Sequence, residues 1–301
     1  MSEEFKSGFV SMMGRTNVGK SSIMNSLVKE KVAAIANKPQ TTRNAIRAIV
    51  NRDNLQIVFI DTPGIHKPKS KLGNVMVETA FGVVPDVDVV LFVIEATSDS
   101  IGKGDRIILD RIKESNKKAI LIINKIDLVR RESIAKLIDL YKDEYNFEAI
   151  IPVSVEKNIN MDAIIDEISK HLKVGPAYYD IEEYTDQTLR QLVEEIIREK
   201  ALRLLNDEVP HGIYVETEKM KERESKSGEP IYDVDATIYC LRNSHKGIII
   251  GKDGNMLKKI ASYARMDLEK MLDVKINLKV WVKVKEDWLN NDSLVKKFKL
   301  Q

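Results

Sequence analysis

The sequence is poor in the residues on which several classes of protein depend. Its 301 residues include one cysteine, Cys240, and four histidines that show no metal-ligand spacing. A single cysteine excludes a disulfide framework and fits a reducing compartment. No apolar run reaches the roughly 18 residues of a membrane-spanning helix, and no N-terminal targeting segment is recognisable. We therefore expect a cytoplasmic protein whose contact with a membrane, if it has one, is peripheral.

The net charge is also small, at +2, but it is the sum of two regions of opposite sign. Residues 180–240 carry 8 Lys and Arg against 16 Asp and Glu, whereas residues 241–301 carry 14 against 7. A chain of this length can build two hydrophobic cores. We predict domains at 1–173 and 185–301, with a Gly/Pro/Tyr-rich linker at 174–184. The basic end suits a phosphate-binding surface, although lysines also serve solubility.

A complete phosphate-binding loop stands out against this background. Residues 14–21 read G-R-T-N-V-G-K-S, between an apolar run typical of a buried strand and a segment of helical spacing. A glycine-rich turn into a helix points backbone N–H groups at one spot, which favours polyphosphate. We expect Lys20 to reach the β- and γ-phosphates and the Ser21 hydroxyl to ligate Mg²⁺. The predicted nucleotide contacts here are Gly14, Arg15, Thr16, Asn17, Val18, Gly19, Lys20, Ser21 and Ser22.

A second motif predicts which base is bound. The tetrad at 124–127, N-K-I-D, follows an apolar run, so it lies at the carboxyl end of a parallel strand, where ligands bind. A buried carboxylate at Asp127 can accept guanine N1–H and the 2-amino group, whereas adenine would leave it unpaired. Asn124 is expected to brace the loop and the alkyl stem of Lys125 to lie along the base. GTP and GDP are therefore the predicted ligands.

Two further segments are expected to sense the γ-phosphate. Residues 61–64, D-T-P-G, end another apolar run; Asp61 would hold Mg²⁺ through a water and the Gly64 N–H would contact the phosphate. A threonine in the polar stretch 39–43 can complete the metal shell only while the γ-phosphate is present. We choose Thr42, with Thr41 as the alternative, so the predicted metal ligands are Ser21, Thr42 and Asp61.

Residue 65 is informative because it cannot take part in the chemistry. Ras-like GTPases place a glutamine there to orient the attacking water, and this chain has Ile65. Asn17 is a candidate to compensate by ligating a monovalent cation such as K⁺ near the phosphates. It can equally be a turn residue that bonds its own backbone. The residues predicted to act in hydrolysis are Asn17, Lys20, Thr42 and Gly64.

The second half has a different pattern, of helix, two strands, two helices and a strand. We predict a helix from Thr185 to about Leu205, strands at 212–220, 230–242 and 274–284, and a mobile connection at 221–228. An apolar turn at 246–250 leads into a Gly-x-x-Gly loop surrounded by lysines, which suits close approach to a nucleic-acid backbone. The predicted RNA contacts are Lys246, Gly247, Ile250, Gly251, Lys252, Asp253, Gly254 and Lys258.

The fold class that follows is α/β, a doubly wound, mostly parallel P-loop GTPase sheet followed by a smaller α+β type II KH domain. Almost the whole chain resembles the Era family of bacterial ribosome-assembly GTPases. The matching stretches are G-R-x-N-V-G-K-S, Q-T-T-R, D-T-P-G-I-H, E-I-I-R-E-K, I-G-x-x-G and W-V-K-V-K, at 14–21, 40–43, 61–66, 195–200, 250–254 and 281–285.

The resemblance implies GTP hydrolysis coupled to binding of 16S ribosomal RNA near its 3′ end, in a precursor of the 30S subunit. It also implies peripheral association with the inner membrane, and it favours K⁺ assistance through Asn17. We expect a monomer. The alternative is a GTPase that acts on a protein or membrane partner and uses the KH-like domain as a scaffold.

The chain departs from the family pattern in two places. Thr16 replaces a usual proline, and the last nucleotide motif, usually S-A-x-x-G, reads S-V-E-K-N at 154–158. A backbone donor survives the change from Ala to Val, so Ser154, Val155 and Glu156 are still expected along the guanine O6 edge. Asn158 can adopt the left-handed conformation of the missing glycine. The basic C-terminal residues 296–300 are predicted to be a frayed tail, with membrane or RNA contact as alternatives.

Overall fold

The computed structural model describes residues 4–35, 42–65, 68, 70–206, 209–225, 228–291 and 295. Two units are built mainly from residues up to 186 and from residue 187 onward, and short segments near 34 and 70–72 group with the second. The predicted linker at 174–184 groups with the first unit. The predicted boundaries at 173 and 185 remain predictions. Thr41, His66 and the tail at 296–300 lie outside the described residues.

The first unit is a seven-stranded sheet in the order β2-β3-β1-β4-β5-β6, with β7 beside β1. Its strands are β1 (Lys6–Met13), β2 (Ile46–Arg52), β3 (Leu55–Asp61), β4 (Val89–Glu95), β5 (Lys118–Asn124), β6 (Ala149–Pro152) and β7 (Lys173–Val174). The pair β2–β3 and the short β7 are antiparallel and the other pairs are parallel. The carboxyl ends of β1, β3 and β5 therefore meet at one edge, as the motifs require.

Helices cover both faces of this sheet. They are α1 (Lys20–Val28), α2 (Lys71–Gly82), α3 (Lys103–Ser115), α4 (Arg131–Lys142) and α5 (Met161–His171). α1 and α5 share a core with one face, and α2, α3 and α4 share a core with the other. β4 is buried on both sides, with Leu91 and Phe92 pointing to opposite cores, which explains its continuous apolar run. The predicted doubly wound, mostly parallel sheet is confirmed.

The Gly/Pro/Tyr-rich segment after α5 is held along the first unit. The fully buried amide of Gln56 accepts the N–H groups of Tyr178 and Tyr179, at 2.6 and 3.0 Å, and donates to the Tyr179 carbonyl at 2.8 Å. Further along, the Thr185 hydroxyl donates to the Arg47 carbonyl at 2.8 Å. One buried side chain therefore satisfies backbone groups that an irregular segment would otherwise leave to water.

The second unit follows the predicted element order. It contains α6 (Leu189–Leu204), β8 (Tyr214–Glu224), β9 (Pro230–Cys240), α7 (Asn243–Ile250), α8 (Asn255–Leu272) and β10 (Lys275–Val284). The sheet order is β10-β9-β8, with β9 parallel to β10 and antiparallel to β8. The three helices pack on one face of this sheet around a single core. This arrangement confirms the smaller α+β domain of KH type.

Three local predictions in this unit were wrong. The first helix begins at Leu189, after Thr188, because Thr188 and Gln191 form a reciprocal capping box. β8 continues to Glu224, since polar residues beyond 220 pair across the hairpin, for example Arg223 with Asp233 at 2.8 Å. The apolar lead-in at 246–250 is the end of helix α7 and not a turn. Within the described ranges, no helix is long and apolar enough to cross a membrane.

Candidate functional site

The phosphate loop joins β1 to α1, and it is shaped by one glycine that no other residue could replace. Gly19 has φ 100°, and a Cβ there would lie 2.2 Å from Nδ2 of Asn124. α1 starts at Lys20 without a side-chain cap from Gly19, so its first N–H groups face the loop. Asn17 is exposed with φ 66°, Val18 is buried, and Ser22 lies in the first turn of α1.

Lys20 is buried inside this loop. Its ammonium donates to the carbonyl oxygens of Gly14 and Arg15, each at 3.0 Å. Burial lowers the pKa of Lys20 to about 8, against an opposing effect of the nearby Asp61 carboxylate. A buried cation with a lowered pKa gains most from a polyphosphate, which would replace the solvation it has lost.

The three predicted metal ligands lie together although they are distant in sequence. The Ser21 hydroxyl lies 2.6 Å from Oδ2 of Asp61 and 3.0 Å from Oγ1 of Thr42, and Thr42 lies 3.1 Å from the same carboxylate oxygen. Asp61 is fully buried and Thr42 nearly so. One carboxylate and two hydroxyls form the oxygen donor set that Mg²⁺ prefers, so the residues present fit this metal.

The segment after β3 is pressed against the phosphate loop. A Cβ on Gly64 would lie 2.7–2.9 Å from atoms of Thr16, two of them backbone atoms, so only glycine fits. Ile65 donates its N–H to the Gly14 carbonyl at 3.2 Å, and its side chain is buried in the hydrophobic core. The structure therefore brings Gly64 to the phosphate loop and removes residue 65 from any contact with water.

The base motif is braced against the same loop from the end of β5. Nδ2 of Asn124 donates to the Val18 carbonyl at 2.9 Å, and Nζ of Lys125 donates to the Asn17 carbonyl at 2.8 Å. Asp127 lies in a short 3-10 turn, where Ser154 donates to Oδ1 at 2.5 Å. The carboxylate is exposed, not buried as the sequence argument assumed, because this turn projects from the strand end.

The altered last motif keeps its shape. Asn158 has φ 52°, which confirms that it takes the left-handed conformation usual for glycine. The Ser154 hydroxyl accepts the Lys157 N–H at 3.1 Å, and the Ser154 N–H bonds the Ile159 carbonyl at 3.2 Å. Val155 is half-buried and Glu156 is exposed in this turn. The turn thus positions Ser154 against Asp127 without a glycine.

The residues that hold Arg15 could not be predicted from any motif. Its guanidinium bonds the buried Asp105 carboxylate at 2.9 Å and the Ser98 hydroxyl at 3.1 Å. Glu95 at the end of β4 pairs with Lys125 at 2.8 Å and lies 3.9 Å from Arg15. Glu95 therefore links the phosphate loop to the base motif, and Asp105 holds Arg15. They lie about 80–90 residues away from Arg15 and belong to no motif, so only the fold reveals them.

The Gly-x-x-Gly loop of the second unit is a sharp connection between α7 and α8. Gly251, Asp253 and Gly254 all have positive φ, at 72°, 53° and 74°. Among the predicted RNA contacts, Gly247, Lys252, Asp253 and Lys258 are exposed, while Lys246 and Gly254 are partly buried. Ile250 packs partly against the core, so its role there is structural at least in part. The exposed backbone, the lysines and the start of α8 form a surface suited to phosphate.

Comparison with known proteins agrees with the predictions made for both halves of the chain. Residues 9–125 match the family described as "50S ribosome-binding GTPase" and residues 208–289 match "KH domain". GTPase Era from Caldanaerobacter subterraneus subsp. tengcongensis is 50% identical over 293 residues, 97% of each chain. GTPase Era from Clostridioides difficile is 50% identical over 295 residues, 98% of each chain.

Solved structures agree as well. The structure of Era in complex with MgGDPNP and nucleotides 1506–1542 of 16S ribosomal RNA superposes with a TM-score of 0.92 at 37% identity, over 98% of both chains. A variant of Aquifex aeolicus Era bound to GDP and AlF4⁻ also gives 0.92 at 37% identity, over 98% of this chain and 99% of that one. The chain therefore belongs to the Era family of GTPases, and it hydrolyses GTP.

Proposed function

We propose that this GTPase is a switch that binds the 3′-end region of 16S ribosomal RNA and acts in assembly of the 30S subunit. The observation that carries the proposal is the Gly-x-x-Gly loop, with Lys252 and Asp253 exposed, in a KH unit whose C-terminal part is basic. This unit shares a chain with the GTPase unit. A relative of the same architecture over 98% of its length was solved with MgGDPNP and that RNA region. The role in assembly of the 30S subunit is inferred from the family to which the chain belongs.

In the GTPase unit, Ser21, Thr42 and Asp61 would hold Mg²⁺, supported by their mutual distances of 2.6–3.1 Å. The metal supplies charge neutralisation at the β- and γ-phosphates when it is bound. Ser21 would act as a direct ligand and Asp61 through water. Thr42 would join them only in the GTP state, which makes its segment the switch. Asp61 is fully buried, and a bound Mg²⁺ would add compensation for its charge to that of the nearby Lys20 ammonium.

Hydrolysis would depend on groups of the phosphate loop rather than on residue 65. Lys20 would bind the β- and γ-phosphates, and the Gly64 N–H would hydrogen-bond the γ-phosphate. Because Ile65 is buried, no side chain at that position orients the attacking water. Asn17, exposed on the loop, would ligate K⁺ beside the phosphates. The K⁺ would supply the positive charge that an arginine finger supplies in other GTPases.

Guanine would be read by Asp127, with Asn124 and Lys125 bracing the loop around it. The support is the bond from Ser154 to Oδ1, which leaves Oδ2 and the remaining lone pairs to accept donors of the base. Ser154, the Val155 N–H and Glu156 would line the O6 edge. Gly14, Arg15, Thr16, Val18, Gly19 and Ser22 would complete the phosphate contacts.

RNA would be clamped at the Gly-x-x-Gly loop by Gly251 and Gly254, with Lys252 and Lys258 near the phosphates. The 30S precursor as the assembly partner, a monomeric state, a cytoplasmic location and peripheral membrane association are further parts of this proposal. They rest on the resemblance to the family and on sequence composition.

A Lys252→Asp variant tests the RNA clamp. A carboxylate placed between two glycines meets RNA phosphates with like charge, so binding of the 16S segment 1506–1542 should fall by at least ten-fold. Lys136→Asp, an exposed reversal on α4 of the first unit, is the matched control for loss of one positive charge. Affinity is measured by fluorescence anisotropy at several salt concentrations, with GTP turnover as the check on folding.

If Lys252→Asp binds RNA like the wild type, the loop is not the clamp. A GTPase that serves a protein or membrane partner, with the KH unit as scaffold, then becomes the better account. Footprinting on a 30S precursor with the GDPNP-bound and GDP-bound protein would show which nucleotide state exposes the RNA surface, and protection near the 16S 3′ end is expected.

A further inference from the structure

The outer face of the KH sheet carries an aromatic side chain that the core does not use. Along β10, Ile276 and Val282 are buried towards the helices, while Lys279, Trp281 and Lys283 face the other way and are exposed. Trp281 is 43% exposed. β10 is an edge strand, paired only with β9 among the described residues, so one side of the indole is open to solvent.

This indole lies apart from the Gly-x-x-Gly loop. Helices α7 and α8 pack on the inner face of the sheet, where Ile249, Ile260 and Leu268 share a core with Val282. Trp281 belongs to the opposite face, across the thickness of the sheet. A ligand that contacts Trp281 therefore uses a surface different from the backbone of residues 251–254.

Trp281 is flanked by lysines on its own strand, while β9 places Asp235 opposite Lys279 on the same face. Lys279 and Lys283 flank it two residues away on the same face, which places their Cα atoms about 7 Å from that of Trp281. Lys283 also pairs with Glu218 at 2.7 Å, whereas Lys279 has no carboxylate within 4.0 Å among the described residues. Opposite Trp281 lies Thr237, a small residue whose hydroxyl donates to Glu218 at 2.8 Å.

A second aromatic residue extends this surface. Tyr239 lies one pleat further along β9, opposite Lys283, and Nζ of Lys285 lies 5.4 Å from its ring centroid. Tyr239 is partly buried and stacks on Tyr214, so Trp281 is the exposed ring of this surface. An exposed aromatic ring beside lysines can bind single-stranded nucleic acid, because every base has a face to stack and every nucleotide carries a phosphate. A protein partner would require a larger apolar patch than one indole.

We propose that the outer face of β10 is a second RNA-binding surface, on which a base of single-stranded RNA stacks on Trp281 while Lys279 and Lys283 contact the neighbouring phosphates. The inference rests on the proposed function in that RNA is the partner of this unit. It adds a contact that the Gly-x-x-Gly loop does not make. The basic excess of residues 241–301 supplies the matching long-range attraction.

The two tryptophans allow a direct test in the wild-type protein. Trp288 is 1% exposed, so acrylamide quenches mainly the fluorescence of Trp281. Titration with the 16S segment 1506–1542 should change the emission of Trp281 and shield it from acrylamide. RNA binding measured by anisotropy that leaves this emission and its quenching unchanged would overturn the proposal.

Variants then separate stacking from charge. Trp281→Ala should weaken RNA binding by about 5- to 150-fold with an unchanged salt slope, and Trp281→Phe should recover much of the loss. Lys279→Gln should reduce the salt slope by about one unit. Tyr263→Ala, an equally exposed aromatic residue on α8, is the matched control and should bind like the wild type. Circular dichroism shows whether each variant is folded.

The outcomes also distinguish this inference from the proposed function. If Lys252→Asp loses RNA while Trp281→Ala binds with wild-type affinity, the KH clamp stands and the second surface is refuted. If the wild-type protein does not bind the RNA segment at all, the proposed function itself fails. Should Trp281→Ala prove unfolded, the quenching result on the wild-type protein decides.

Discussion

Replacement of Asp127 by Asn is the sharpest test of base recognition, because Ser154 occupies one carboxylate oxygen and leaves the other open. Ser154 donates to Oδ1 at 2.5 Å, and in the Asp127→Asn variant it still requires an acceptor there. The new amide nitrogen must therefore take the place of Oδ2. The amide nitrogen then presents a donor to a guanine edge that itself offers only donors, so no hydrogen bond forms. Xanthine presents its 2-oxo group at the same place, and this group can accept the hydrogen bond.

The magnitude follows from the bonds exchanged. Hydrogen bonds to a charged group are worth roughly 1.5–3 kcal/mol each, and Asp127 is exposed, so a loss of about 3–4 kcal/mol is expected for GTP. This corresponds to a factor of about 150–900 in affinity. The variant should bind xanthosine triphosphate more tightly than the wild type does, and it should prefer this nucleotide to GTP.

Competition against a fluorescent GDP analogue measures both nucleotides on both proteins. Ser154→Ala in the Asp127→Asn background is the control, because without the hydroxyl the amide can rotate and the new preference should shrink. A variant that keeps the GTP preference of the wild type would show that Asp127 does not read the base.

Three further predictions follow from the first and second units. GTP hydrolysis should be faster in K⁺ than in Na⁺ at equal ionic strength, and the difference should vanish in Asn17→Ala; equal rates in both salts would refute a cation site at Asn17. Because burial lowers the pKa of Lys20 to about 8 and a polyphosphate would raise it, GTP binding should take up a proton above pH 8, weakening up to ten-fold per pH unit. Calorimetry in two buffers of different ionisation enthalpy checks this, and no proton uptake at pH 8.5 would contradict it. Burial also raises the pKa of Glu194 to about 6, so the folded state holds this proton more tightly than the unfolded chain and stability falls as pH rises from about 4.5 to 6. Glu194→Gln keeps an acceptor for the Thr217 N–H and should add about 1–2 kcal/mol to the free energy of unfolding at pH 8 but not at pH 4; an equal gain at both, by urea denaturation, would exclude this cause.

Much of the GTPase site could be predicted because its chemistry is local. The phosphate loop needs glycines, a lysine and a hydroxyl within eight residues, and the strand ends at Asp61 and Asn124 follow from runs of apolar residues. Ser21 and Asp61 converge because β1 and β3 are parallel neighbours whose carboxyl ends share one edge. Thr42 joins them because it precedes β2, which runs antiparallel to β3.

Boundaries and conformations were harder to predict where several local solutions compete. The helix expected from Thr185 begins after Thr188, because Thr188 forms a capping box with Gln191. Thr185, three residues earlier, is a residue of the same type, so the sequence pattern alone did not distinguish the two. The lead-in at 246–250 is short and apolar, and such a run does not distinguish a turn from the end of a helix. The exposure of Asp127 depended on a 3-10 turn that no periodicity signals.

By itself, the sequence determined the fold class and the guanine nucleotide as ligand, and it predicted the residues that would touch the phosphates, since each depends on residue types at short, fixed spacing. Only the tertiary structure decided that Asp105 and Ser98 hold Arg15, that Gln56 secures the segment at 178–179, and that Trp281 faces away from the core. Those contacts join residues 70 or more positions apart, or depend on which face of a sheet the helices cover. Strand order and packing determine such relations, and no motif encodes them.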